Sequence, residues 1–360
     1  SALLHPLCFF VVGLRVWTLG KKHGYSTQIE FFRDRLESPR FGWILFPVVV
    51  GLVIPYVLIG ILGGGGTIKA VTGIPAWGGS LIICGVVLTY VFLGGMRGTA
   101  WANAFQTTVF MALGVITFFV LVNGIGGEES FFDSLRAATA KANPEKLSRG
   151  HFPHSLYFAF LLIPLSIGMF PHIFQHWLTA RDANAFKLPI VAHPIFVLIV
   201  WAPCVLIGTW VSGDAEIAGL IADGELSEKS ILGFLVKRHS GDVLAGLLTA
   251  GILAAIMSSM DSQFLCLGTM FAKDVMGRHG GEGEDDRQTV LMARGFVIAV
   301  VAVCYVLALV APRGVFNLAI WCFSGFSGLF PLIIAALYWR GLTKAGAWMA
   351  VATTASLWLF

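Results

Sequence analysis

Charge is scarce in this chain. Asp, Glu, Lys and Arg make up 12% of its 360 residues, about half of what a soluble domain carries. A water-solvated globular surface cannot be built from so little. The net charge of +4 is small and supplies no basic stripe, so no nucleic-acid partner is expected. Cysteine is sparse and scattered: Cys8, Cys84, Cys204, Cys266, Cys304 and Cys322 stand singly in apolar stretches, with no Cys-x-x-Cys. That excludes a disulfide framework and a cysteine zinc site. Ser-His-Asp, paired-carboxylate and redox arrangements are all missing, so the chain is not read as an enzyme.

Apolar residues fill the space. Hydrophobic residues reach 57% and the mean hydropathy is +0.81. Inside a bilayer every backbone polar group needs a partner within the protein, which selects helices. The expectation is an all-α polytopic membrane protein. Ten spans are predicted, at about 2–19, 41–62, 76–96, 101–123, 155–179, 188–212, 243–272, 290–311, 315–338 and 343–360. Longer connections fall at 20–40, 124–154 and 213–242, and the last two are polar enough to carry small surface helices. Prolines inside the spans, at Pro47, Pro55, Pro164, Pro171, Pro203 and Pro331, mark breaks that neighbouring helices must satisfy. The chain starts within one apolar run and stops within another, without a signal peptide, and is expected to be the interior of a longer protein.

Lys and Arg concentrate on alternate connections and the helix ends beside them. One set includes Arg15, Lys21, Lys22, Arg33, Arg35, Arg40, Arg97, Arg181, Lys187, Lys273, Arg278, Arg287, Arg294, Arg340 and Lys344. The sparser opposite set includes Lys69, Arg136, Lys141, Lys146, Arg149, Lys229, Lys237, Arg238 and Arg313. The positive-inside rule puts the richer set in the cytoplasm, so the first and seventh spans both run inward.

Polar chemistry collects in the seventh span, in GILAAIMSSMDSQFLCLGTMFAKD (251–274). Ala255, Ser258, Ser259, Ser262 and Cys266 follow helical spacing and form one stripe of small residues. Such a stripe lets two membrane helices approach closely. It also sets two hydroxyls beside the Ala255 carbonyl, a hard-oxygen set that suits Na⁺ better than a transition metal. Asp261 is costly at this depth and needs a counter-charge, a proton, or a donor such as Gln263 or a rim lysine. Elsewhere, His172 and His176 sit four apart with no third ligand in view, and read as a helix end rather than a metal site. Gly63–Gly66 lacks the Gly-Lys-Ser/Thr of a phosphate loop and reads as a flexible extracellular link.

Four stretches together resemble the sodium:solute symporter family, which includes sodium-coupled proline, pantothenate and sugar transporters. AAIMSSMDSQFL (254–265) is similar to the family signature. GGMRGTAWANAFQ (94–106) resembles its Gly-Gly turn followed by Trp-Thr-Asp and Gln. FPHIFQHWLTARDANAFK (170–187) resembles the end of its sixth core helix, and GYSTQIEFFRDR (24–35) the link after its second. They occur in family order. Three positions depart from the pattern: Asn103 stands where the family has Asp, His176 where it has Arg, and Gly60 where it has Gln.

The resemblance implies an inverted repeat of five plus five helices in one transporter domain over 1–360. This sequence would then hold core helices 2–10 plus one accessory helix, with core helix 1 absent. It implies a Na⁺ site on the Ala255 carbonyl and the Ser258 and Ser259 hydroxyls, completed by carbonyls of core helix 1. It places the substrate region near Ile163, Ile167, Phe170 and Pro171 on core helix 6, and near Phe323, Ser324 and Ser327 on core helix 10. Asp261 and Asn103 then lie on the ion path. The expected function is Na⁺-coupled import of a small organic solute by a multi-pass protein of the cell membrane. The partners are that solute and the bilayer; the sequence sets no oligomeric state. The alternatives are the membrane sensor module of a histidine-kinase-type receptor, which a kinase-like region after Phe360 would mark, and an uncoupled paralogue, suggested by Asn103.

Overall fold

The computed structural model describes residues 3–148, 153–223, 231–278, 286–310 and 314–359. Arg149, Lys229 and Arg313 of the sparser cationic set, and the span ends expected at 2, 311 and 360, lie outside them. Among the described residues every regular element is helical. The order is α1 (Leu4–Cys8), a π turn (Phe9–Gly13), α2 (Leu14–His23), α3 (Gln28–Arg35), α4 (Pro39–Thr72), α5 (Ala76–Gly126), α6 (Phe131–Ala140), α7 (Pro144–Leu147) and α8 (His154–Leu162). A 3₁₀ segment (Ile163–Gly168) leads to α9 (Pro171–Thr179), and another (Ala183–Phe186) to α10 (Lys187–Val211) and α11 (Ala215–Ala222). Then come α12 (Ile231–Met270), a π segment (Phe271–Val275), a 3₁₀ turn (Met276–Arg278), α13 (Asp286–Val310), α14 (Val315–Gly328), α15 (Phe330–Tyr338) and α16 (Lys344–Leu359).

Six of these helical stretches are long and apolar enough to cross a membrane, seven if α8 and α9 with their bend of 44° count as one. They coincide with the expected second and fifth to ninth spans, with the third and fourth merged. The differences from the expected ten are local. The first span is split by its π turn into short pieces. The third and fourth share α5, whose 51 residues would stretch about 77 Å if straight, far beyond a hydrocarbon core. The tenth coincides with α16, which has 16 residues.

Gly95 breaks α5, at φ 54° and ψ −155°, a region that only glycine enters without strain. Nothing lies within 4 Å of where its Cβ would be, so a side chain there meets backbone strain alone. Gly95→Ala is expected to destabilise the protein by about 1–3 kcal/mol. Thermal unfolding in detergent measures this, and an unchanged midpoint would mean that the break is not held.

Gly63–Gly66 is not a link. It continues α4, which runs ten residues past the predicted span end at 62. The reason is packing: a Cβ on Gly65 would fall 2.1 Å from Ser80 Oγ, so the missing side chain lets α5 lie against α4. Ser80 then donates to the Ile61 carbonyl at 2.9 Å.

One large core joins α1–α5, α9 and α12–α16. A smaller one gathers the far end of α5, α6, α11 and the start of α12. α12 packs most extensively on α5, then on α4, and also meets α9 and α13. Its polar middle is therefore inside the bundle. The short α3 is wedged against α4 and α9, capped by Thr27 and Glu30 in a capping box. Gln28 donates to the Met169 carbonyl at 3.2 Å, Thr27 to Asp274 at 3.1 Å, and Arg35 to the Ala336 carbonyl at 2.8 Å. Beside this wedge, burial and the Asp34 carboxylate push the Tyr25 hydroxyl above its ordinary range.

Candidate functional site

The serine stripe lies on the half-buried part of α12. Ala255, Ser258 and Ser259 are each partly accessible, while Asp261, Ser262, Gln263 and Cys266 are buried. Ser258 donates back to the Ala255 carbonyl at 2.9 Å, a bond that slightly perturbs the helix. Ser259 accepts from the Gln263 amide at 3.2 Å. The two hydroxyls and the Ala255 carbonyl thus sit on one turn, with oxygen lone pairs left over.

Asp261 is fully buried, and its donors differ from the two examples offered by the sequence. Neither Gln263 nor a lysine holds it. The donor is Tyr90 of α5, whose hydroxyl reaches Asp261 Oδ2 at 2.9 Å. Ser262 donates to Oδ1 at 3.1 Å. Asn103, from the other side of the Gly95 break, donates its amide to Ser262 Oγ at 3.1 Å and also lies against Asp261. Both halves of α5 are therefore pinned to two adjacent residues of α12. Tyr90 was missed because nothing local marks it: it is one aromatic in an apolar helix, 171 residues away.

Acceptor oxygens are in excess around this carboxylate. Among the described residues no hydrogen-bond donor reaches the buried Asn103 Oδ1, beside Asp261, or Gln106 Oε1, beside Tyr90. Unfilled carbonyl oxygens beside a buried acid fit a hard cation or water and do not fit an anion.

The expected substrate positions come together around the helix break that follows α8. The chain leaves α8 through the 3₁₀ segment and is extended at Phe170 before α9 starts at Pro171. Ile167, Phe170 and Pro171 are buried there. Phe170 lies 5.4 Å from Phe323 and 5.1 Å from Phe326 of α14, between ring centroids. Ser327 donates to the Ile163 carbonyl at 2.8 Å, capping backbone freed by the break. Ser324 does not join: it is exposed and bonds its own helix at the Trp321 carbonyl.

Tyr56 of α4 links the two regions and was not picked from the sequence. Its ring is 5.5 Å from Phe170, 5.4 Å from Phe323 and 5.6 Å from His172. Its hydroxyl lies beside Ser259. The signal available was Pro55-Tyr56, a polar ring next to a proline inside an apolar helix. His172 stacks on Phe170 at 5.4 Å, and no group of three or more His, Cys, Asp or Glu able to hold a metal forms among the described residues.

The chain is 27% identical over 353 residues to a sodium/proline symporter of Staphylococcus aureus, covering 94% of this chain and 66% of that one. A sodium/proline symporter from the bovine RF122 / ET3-1 strain is 26% identical over the same length. The chain thus spans just under two thirds of these relatives. Its fold is similar to the substrate-bound outward-open state of a Na⁺-coupled sialic acid symporter, with TM-score 0.65, 16% identity, and coverage of 100% of this chain and 89% of that one. These relatives are transporters and not enzymes. The family model for sodium:solute symporters matches residues 2–353, and the chain belongs to the sodium:solute symporter family.

Proposed function

We propose that the protein carries a small organic solute inward across the cell membrane together with Na⁺, by alternating access. The observation that supports this best is the placement of two unlike sites on either side of one residue. Hard oxygens collect on α12 at Ala255, Ser258 and Ser259. An aromatic wall of Phe170 and Phe323 faces a helix break at Ile163–Gly168. Tyr56 touches both. In this reading Na⁺ takes the Ala255 carbonyl and the two hydroxyls as part of its shell, and Asp261 with Asn103 lines its path. The solute occupies the region of Ile163, Ile167, Phe170, Pro171 and Phe323. Ser327 holds the break open by capping Ile163, and Ser324 drops out of the pocket.

In this reading the chain supplies ten spans, core helices 2–10 of an inverted five-plus-five repeat and one accessory helix. The Gly95 break supports it by dividing α5 into two lengths that each suit a bilayer. Broken helices meeting at a midplane site are how such repeats achieve alternating access.

A solute screen tests the proposal. Thermal unfolding of the purified protein is followed with amino acids, monocarboxylates, vitamins and sugars, each in Na⁺ and in choline. At least one class is expected to raise the midpoint in Na⁺ and much less in choline, because ligands that bind only the native state add stability by mass action. Equal shifts in both salts for every binding solute would contradict coupling.

A further inference from the structure

The break at Gly95 leaves a cavity of about 290 Å³ between α5, α12 and α13. Gly95 and Gly268 form part of its wall, so two side chains that would fill it are missing. A Cβ on Gly268 would already be 3.3 Å from Val297. Val91, Phe264, Leu265 and Val290 supply an apolar lining. Two cations stand in the same wall, Lys273 and Arg294, and no acid does.

Arg294 is unusual in its surroundings. It is half-buried, and Val290, Leu291 and Met292 just before it on α13 are exposed at 47%, 56% and 43%. In a membrane bundle that surface meets lipid. One guanidinium nitrogen donates to the Phe92 carbonyl at 2.7 Å, and the group lies 5.5 Å from the Phe92 ring. This caps a carbonyl that the Gly95 break has freed. A guanidinium has five N–H donors, so most remain for another acceptor. Lys273, near the end of the α12 helical run, is exposed. Arg294 lies about 12 Å along α13 from its start, close to the depth where headgroups meet acyl chains.

We propose that this groove binds an anionic phospholipid, with its phosphate on Arg294 and Lys273 and an acyl chain along Val91, Phe264, Leu265 and Val290. Charge complementarity selects the occupant: basic pockets between membrane helices on the cytoplasmic side take acidic headgroups. The expected leaflet is the cytoplasmic one, since both cations flank a connection of the cation-rich set. The groove is separate from the serine turn and the aromatic wall. A lipid there would brace α12 and α13 against the broken part of α5.

Native mass spectrometry of the detergent-purified protein, with phosphatidylglycerol or phosphatidylcholine added, tests this. Wild type is expected to retain phosphatidylglycerol preferentially. Each neutralised cation, Arg294→Gln or Lys273→Gln, should weaken that retention about fivefold. Gly268→Leu keeps both cations and fills the groove, and should lower retention of phosphatidylglycerol without lost charge. This variant, with Lys273→Gln, keeps the test sound if Arg294→Gln fails to fold. Lys21→Gln with Lys22→Gln removes two charges elsewhere, more than either single variant, and should change nothing. Equal retention of both lipids by wild type, an equal loss in the Lys21 and Lys22 control, or displacement of the lipid by inorganic phosphate alone would overturn the proposal.

Discussion

Ser258→Ala with Ser259→Ala is expected to abolish Na⁺-dependent uptake while leaving expression and folding intact. The two hydroxyls are among the few neutral oxygens on α12 able to replace an ion's hydration shell. Ser258 Oγ bonds only its own helix, at the Ala255 carbonyl. Ser259 Oγ accepts from Gln263, whose amide can turn to another acceptor. Both positions are half-buried, and Ala keeps the stripe small, so packing against the neighbouring helices survives. The stripe had a purely steric reading as well, and the double variant separates the two. Uptake with an unchanged Na⁺ requirement would leave close helix packing as the whole role of these serines.

Asp261→Asn should raise the Na⁺ concentration for half-maximal uptake about tenfold, the equivalent of 1.4 kcal/mol, with the maximal rate within a few fold. The amide keeps the shape and one acceptor for the Tyr90 hydroxyl. It removes the only carboxylate of the Tyr90–Asp261–Ser262–Asn103 chain. With Asn103 neutral where the family has Asp, the negative potential along this path rests on Asp261. Tyr90→Phe provides the structural comparison, because it deletes the donor and keeps the charge. If Asp261→Asn showed unchanged Na⁺ affinity but failed to reach the membrane, Asp261 would be a hydrogen-bond partner that secures α12 to α5.

Hydropathy located the apolar helices, and the resemblance located the residues that gather around α4 and α12. Both follow from local signals: long apolar runs, a polar cluster at helical spacing, and a proline at a helix break. Three features were not legible. The extension of α4 through four glycines depends on Ser80 being there to pack against Gly65, and glycine alone reads as a breaker. The partner of Asp261 depends on the register between α5 and α12, which a single sequence does not encode locally. Ser324 was grouped with Phe323 and Ser327 by the family resemblance, yet the helical turn from 323 to 327 puts position 324 on a different face.

The central claim is that solute movement is driven by Na⁺ through the serine turn of α12. Purified protein in liposomes, given the solute that the stability screen selects, tests it directly. An inward Na⁺ gradient should accumulate solute above its external concentration. Collapsing that gradient with a Na⁺ ionophore should release it, and Ser258→Ala with Ser259→Ala should show no accumulation. Accumulation that persists after the Na⁺ gradient is collapsed would contradict the account.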